Sequence, residues 1–130
     1  MAKNFKRPII IAAIIAKQEK PSSAIAKALR GVKGDIKYVP IRISSKDLKN
    51  IVKCMKLVDI PAATISPTLR KKAFLHLDHR DESSIKAKES DLIIKKGQNY
   101  VAFNAKGVAK NKNRHYSELC AILLTSNLEL

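Results

Sequence analysis

Tryptophan is absent from this 130-residue chain, and aromatic residues make up only 5% of it. A core must therefore be aliphatic, built on Ile, Leu, Val and Ala. Cysteine is scarce: Cys54 and Cys120 are too few for a disulfide framework, and no Cys-x-x-Cys occurs. A reduced, cytoplasmic setting is the expectation. Long apolar runs are also lacking. The longest, residues 9–16, has eight residues, where a membrane-spanning helix needs about 20. Acidic residues are few, 11 against 26 Lys and Arg, for a formal net charge of +15. Such a field attracts phosphate, nucleic acid or anionic surfaces. The positive charge is spread along the chain and is not a basic tail.

What remains is globular. Apolar residues are 45% and charged residues 28% of the chain, values of a folded domain and not a disordered one. Lys3, Lys6 and Arg7 followed by an apolar run resemble the first regions of an export signal. The run is short, however, and Lys17 follows at once. Isoleucine at five of its eight positions fits a buried strand over 8–16. A helix is expected over 21–32, its apolar face formed by Ile25, Ala28, Leu29 and Val32. A second strand spans 35–44, where Pro40 predicts a sheet edge or a bulge.

The clearest helix covers 45–57, capped by Ser44 or Ser45, with Leu48, Ile51, Val52 and Met55 at helical spacing. Cys54 reads as a small core residue of this helix, and Cys120 as one of the last helix. A strand over 60–65, a helix over 67–77 and a partly helical segment 78–87 follow. Lys96-Gly97-Gln98-Asn99 between two apolar stretches marks a hairpin. Residues 106–114 read as a basic linker and 115–124 as a final helix. The order predicts an α/β domain of three layers, with a mainly parallel sheet, a terminal β-hairpin and helices on both faces.

The pattern resembles the substrate-binding domain of shikimate dehydrogenases, from about residue 9 to 107. Tyr38-Val39-Pro40 is similar to the family's Tyr-x-Pro. Thr64-Ile65-Ser66 followed by Arg70 stands where the family has Asn-Val-Thr-x-Pro-x-Lys. Asp91-Leu92 falls at its Asn-Thr, and Asn104-Ala105-Lys106-Gly107 at its Asn-Thr-Asp-Gly. The resemblance implies a domain over 1–107, with 108–130 as linker and C-terminal helix. It places a ligand cleft near Ser22, Ser23, Thr64, Ser66, Arg70, Asp91, Asn104 and Lys106.

The departures carry chemistry. In the family a Lys and an Asp move the proton of the reacting hydroxyl, and those positions read Arg70 and Lys106 here. Arginine does not release a proton near neutral pH, and general acid–base work needs a group that titrates near the working pH. No Gly-x-Gly-x-x-Gly phosphate turn occurs and only 23 residues follow Gly107, so no nicotinamide unit and no cofactor are expected. The expectation is a non-catalytic, stand-alone relative that binds a small carboxylate.

Two alternatives stand beside it. One is a basic module that binds nucleic acid non-specifically through Lys46, Lys49, Lys53 and Lys56. The other is the substrate-binding half of a split enzyme, paired with a nucleotide-binding chain. His76 and His79 read as solvated histidines and not metal ligands, since zinc needs three or four convergent groups. Leu119, Ile122, Leu123 and Leu124 give the final helix an apolar face, which folds back on the core or meets a second copy in a homodimer.

Overall fold

A computed structural model describes residues 8–111, 115–126 and 128. Its strands are β1 (Ile9–Ala16), β2 (Ile36–Ile43), β3 (Ala62–Ile65), β4 (His79–Arg80), β5 (Leu92–Lys96) and β6 (Asn99–Phe103). Its helices are α1 (Ser23–Arg30), α2 (Leu48–Leu57), α3 (Arg70–His76), α4 (Glu82–Ala87), α5 (Ala105–Asn111) and α6 (Tyr116–Thr125). Short 3₁₀ turns, Ser45–Asp47 and Pro67–Leu69, lead into α2 and α3. The basic flank at residues 3–7 and residues 112–114 of the expected linker lie outside the described residues.

One sheet of six strands runs in the order β2-β1-β3-β5-β6-β4. β1 pairs parallel with β2 and β3, and β4 parallel with β6, while β5 is antiparallel to both neighbours. The sheet is thus mainly parallel around β1, as the run of isoleucines requires. Ile11 packs into one core cluster, and Ala12 and Ile14 into the other, on opposite faces of the sheet. β2 is an edge strand, which accommodates Pro40 without a lost ladder bond on the solvent side. The hairpin β5–β6 turns at Gly97, whose φ of 63° is a left-handed value that glycine adopts without steric cost.

Helices cover both faces. On one, Leu48 and Met55 of α2 and Ala73 of α3 close over Ala63, Ile65 and Ile93. On the other, Ile25 and Leu29 of α1 meet Cys120, Ala121 and Leu124 of α6 over Ile11, Ala62 and Leu92. α6 therefore folds back onto its own sheet, with Leu119 and Leu124 buried and Ile122 left half-exposed.

Three local expectations are corrected. Residues 106–111 are not linker: they form α5, because its first N–H groups are all met by side chains, as described below. Cys54 is exposed and not core; it lies off the stripe of α2 that carries Leu48, Ile51 and Met55. Ser44 does not hydrogen-bond the start of a helix at 45. Its hydroxyl donates to the Asp47 carboxylate across a 3₁₀ turn, and α2 begins at Leu48.

Because Leu124 is as fully buried on its face of the sheet as Leu48 is on the other, Leu124→Ala is expected to lower global stability as much as Leu48→Ala does, by about 2–5 kcal/mol each. Denaturant unfolding of the two variants checks this. A Leu124→Ala protein with an unchanged unfolding midpoint would make α6 an appendage.

Candidate functional site

The parallel strands β1, β2 and β3 end on one edge of the sheet, together with the end of β6 and the start of β5. This is where open α/β sheets hold ligands, since loops rather than strands continue from it. Most of the candidates singled out from the sequence arrive there. The structure then shows what each one does.

Asp91 sits in the last position before β5. Its N–H donates to the Phe103 carbonyl and its carbonyl accepts from Ile65 N–H, so it bridges β3 and β6. The side chain is 1% exposed. Its Oδ1 accepts from the Ala105 N–H at 2.8 Å and its Oδ2 from the Lys106 N–H at 2.9 Å. The Tyr116 hydroxyl donates to the same Oδ2 at 3.0 Å. Asn104 completes the arrangement: its Oδ1 accepts from Gly107 N–H at 2.8 Å, and its Nδ2 donates to the Glu89 carbonyl. The first three N–H groups of α5 are thereby satisfied, and a buried negative charge lies at the positive end of the helix. Asp91 and Asn104 are therefore structural partners of α5.

The other polar candidates are also engaged. Ser22 accepts from Ile25 N–H and caps α1, while Ser23 is exposed in its first turn. Ser66 Oγ accepts from Ala16 N–H at 3.0 Å, tying the end of β1 to the loop after β3. The hydroxyls of Thr64 and Tyr38 share a hydrogen bond of 2.5 Å. Burial raises the Tyr38 pKa, although that bond works in the opposite direction. Arg70 Nε donates to the Ile65 carbonyl at 2.9 Å, and among the described residues neither of its terminal nitrogens donates a hydrogen bond. The Lys106 side chain is exposed on α5.

Two residues at this edge were not foreseen. Arg42 Nη1 donates to the carbonyls of Ala16, Lys17 and Glu19 and so holds the loop after β1. The Glu19 carboxylate accepts from both the N–H and the hydroxyl of Thr68. Partial burial by itself would raise its pKa. Hydrogen bonds from Thr68 and Ser66 and the charge of Arg70 outweigh burial and hold it below the ordinary carboxylate value. Beside this loop lies a groove of about 580 Å³ lined by Lys17, Gln18, Glu19, Ser44, Ser45, Thr68 and Lys72, among others. None of the eight sequence candidates lines it; Arg70 bears on it through its charge on Glu19.

Around Asp91 the electrostatics favour protonated neighbours. Burial, then the Asp91 charge, push the Tyr116 hydroxyl far above its ordinary range. The same two causes, in the same order, push the Cys120 thiol up to about 12. Both groups thus keep their protons near neutral pH. Among the described residues no group of three or more His, Cys, Asp or Glu converges as a metal site, and no helix is long and apolar enough to cross a membrane.

No family model matches the sequence, and no curated protein matches it. Solved structures do match. The shikimate dehydrogenase of Aquifex aeolicus superposes with a TM-score of 0.70 at 13% identity, over 93% of this chain and 42% of that one. The shikimate 5-dehydrogenase of Listeria monocytogenes, solved with shikimate and NAD, gives 0.68 at 11% identity, over 98% and 51%. A 5-ketofructose reductase of Gluconobacter gives 0.69 at 18% identity, over 80% and 38%. The chain thus spans about half or less of the length of these enzymes.

Two outcomes are expected of the Asp91 cluster. Tyr116→Phe removes a hydrogen bond to a buried charge and lowers stability by about 1.5–3 kcal/mol in equilibrium unfolding; an unchanged midpoint would contradict the contact. In alkali, the unfolded Cys120 thiol ionises near 9 while the folded one keeps its proton up to about 12. The unfolded state then binds fewer protons, so stability falls as pH rises through that window. Tyr100, raised to about 12 by burial and the Asp59 charge, acts in the same direction from 10.0 upward. Denaturant midpoints across this range check the trend, and Cys120→Ala should flatten its lower part. A midpoint independent of pH there would contradict the burial of the thiol.

The superpositions show that the chain has a shikimate dehydrogenase N-terminal-domain-like fold.

Proposed function

We propose that this chain is a non-catalytic relative of the shikimate dehydrogenase substrate-binding domain and holds a small carboxylate at the carboxyl edge of its sheet. One observation carries the reading. Arg70, at the position where the resemblance puts the proton-transferring lysine, is anchored through Nε to the Ile65 carbonyl, and its two terminal nitrogens make no hydrogen bond among the described residues. A guanidinium held in that way presents a planar pair of donors that matches a carboxylate. Lys17 and Lys72 line the adjacent groove, and Lys106 adds a further cation at the same edge.

The same residues argue against turnover. A guanidinium stays protonated, and a lysine at the aspartate position reverses the charge that would take up the second proton. The buried carboxylate present, Asp91, is enclosed by α5 and Tyr116. The ligand class follows from the edge: an anion for Arg70, and hydroxyls for Ser44, Ser45, Thr68 and Gln18 along the groove.

Calorimetric titration with shikimate at millimolar concentration is expected to give a saturable heat. Arg70→Gln is expected to weaken binding by about ten- to a hundredfold, the value of a charge-assisted pair. No heat with the unaltered protein, or equal affinity in the variant, would end this reading. NADP-dependent oxidation of shikimate by the purified chain would end its non-catalytic part.

A further inference from the structure

A second concave surface lies along one flank of α2, beside its core stripe. Lys49, Lys53 and Lys56 line it from α2, His76 from the end of α3 and His79 from the start of β4. Gln98 and Asn99 of the β5–β6 turn close its far side. The space enclosed is about 200 Å³, room for several waters of about 30 Å³ each or for one hydrated phosphate. Lys46, which the sequence grouped with the other three, is not among the lining residues.

The three lysines follow one another at i, i+4 and i+7, so each is a near neighbour of the next, and like charges at that spacing disfavour the helix. Among the described residues none of them has an ion pair or a hydrogen bond. The carboxylate lining the groove is that of Asp78. An anionic occupant relieves this repulsion. The helical rise spaces the Cα atoms of the three lysines by about 6 and 4.5 Å along the axis. A row of cations along the axis matches a strand with linked phosphates every few ångströms better than it matches a single small anion. The apolar lining residues Leu77 and Tyr100 are buried and Val52 is half-buried, so no apolar side chain of the lining protrudes as a lipid surface would need. His76, His79, Gln98 and Asn99 offer donors and acceptors for sugar and base edges.

We propose that this groove binds the phosphodiester backbone of nucleic acid without sequence preference, through Lys49, Lys53 and Lys56. The proposal is independent of the carboxylate reading, which concerns the carboxyl edge of the sheet and different residues. The test is fluorescence anisotropy with a labelled mixed-sequence single strand of about 20 nucleotides, over a salt series, using the whole chain. The triple variant Lys49→Gln, Lys53→Gln, Lys56→Gln is compared with Lys27→Gln, Lys33→Gln, Lys110→Gln. The second set removes the same charge from the region of α1 and α5, which cover the other face of the sheet.

The groove variant is expected to bind at least about tenfold more weakly, with a log–log salt slope shallower by about two, since each single-strand phosphate contact contributes about 0.7. The control variant is expected to keep the slope and affinity of the unaltered protein. Asp78→Asn, a milder change that leaves the lysines in place, is expected to bind more tightly. Equal losses in the two triple variants would show a general charge effect and overturn the proposal, as would absent binding at low salt. Binding of phosphatidylserine vesicles through the same lysines, with the oligonucleotide unbound, would assign the surface to lipid and overturn it too.

Discussion

The buried carboxylate of Asp91 is the interaction on which the ligand edge of this fold depends. Its backbone links β3 to β6, and its two oxygens meet the start of α5 and the hydroxyl of Tyr116 on α6. An unpaired buried charge is far too costly to survive, so the carboxylate and its three donors must form together. That requirement fixes where α5 begins. It also brings α6 back over the sheet, which in turn completes the second core cluster with Cys120, Ala121 and Leu124.

The same arrangement determines what chemistry the edge offers. Groups that would otherwise face a ligand are turned inward: Asn104 caps α5, Ser66 holds the end of β1, and Thr64 pairs with Tyr38. The terminal nitrogens of Arg70 make no hydrogen bond among the described residues. Glu19, held as a carboxylate by Thr68, Ser66 and Arg70, moderates that positive field.

Much of the frame was legible in the residues. The isoleucines of β1 signalled a strand buried on both faces, Pro40 signalled an edge, and Gly97 marked the hairpin turn, each because local backbone physics leaves few alternatives. Cys54 misled because it neighbours apolar residues in sequence, yet six residues from Leu48 is about 240° around a helix, away from the core stripe. Residues 106–111 looked like linker because their helix is polar, short and without strong propensity. It depends on a cap delivered by Asp91 from another strand, which no local pattern reveals. Arg42 and Glu19 were missed for the same reason: their partners lie 23 to 49 residues away. The strand ends that carry these residues were readable; the partners that occupy their polar atoms were not.

Amide hydrogen exchange at Ala105 and Lys106 tests the role of Asp91 most directly. Both N–H groups point at its carboxylate, and in a lone short helix they would exchange freely. The account predicts protection close to that of the central β1 amides, lost in Asp91→Ala under conditions where β1 stays protected. Fast exchange of both amides in the unaltered protein would contradict it.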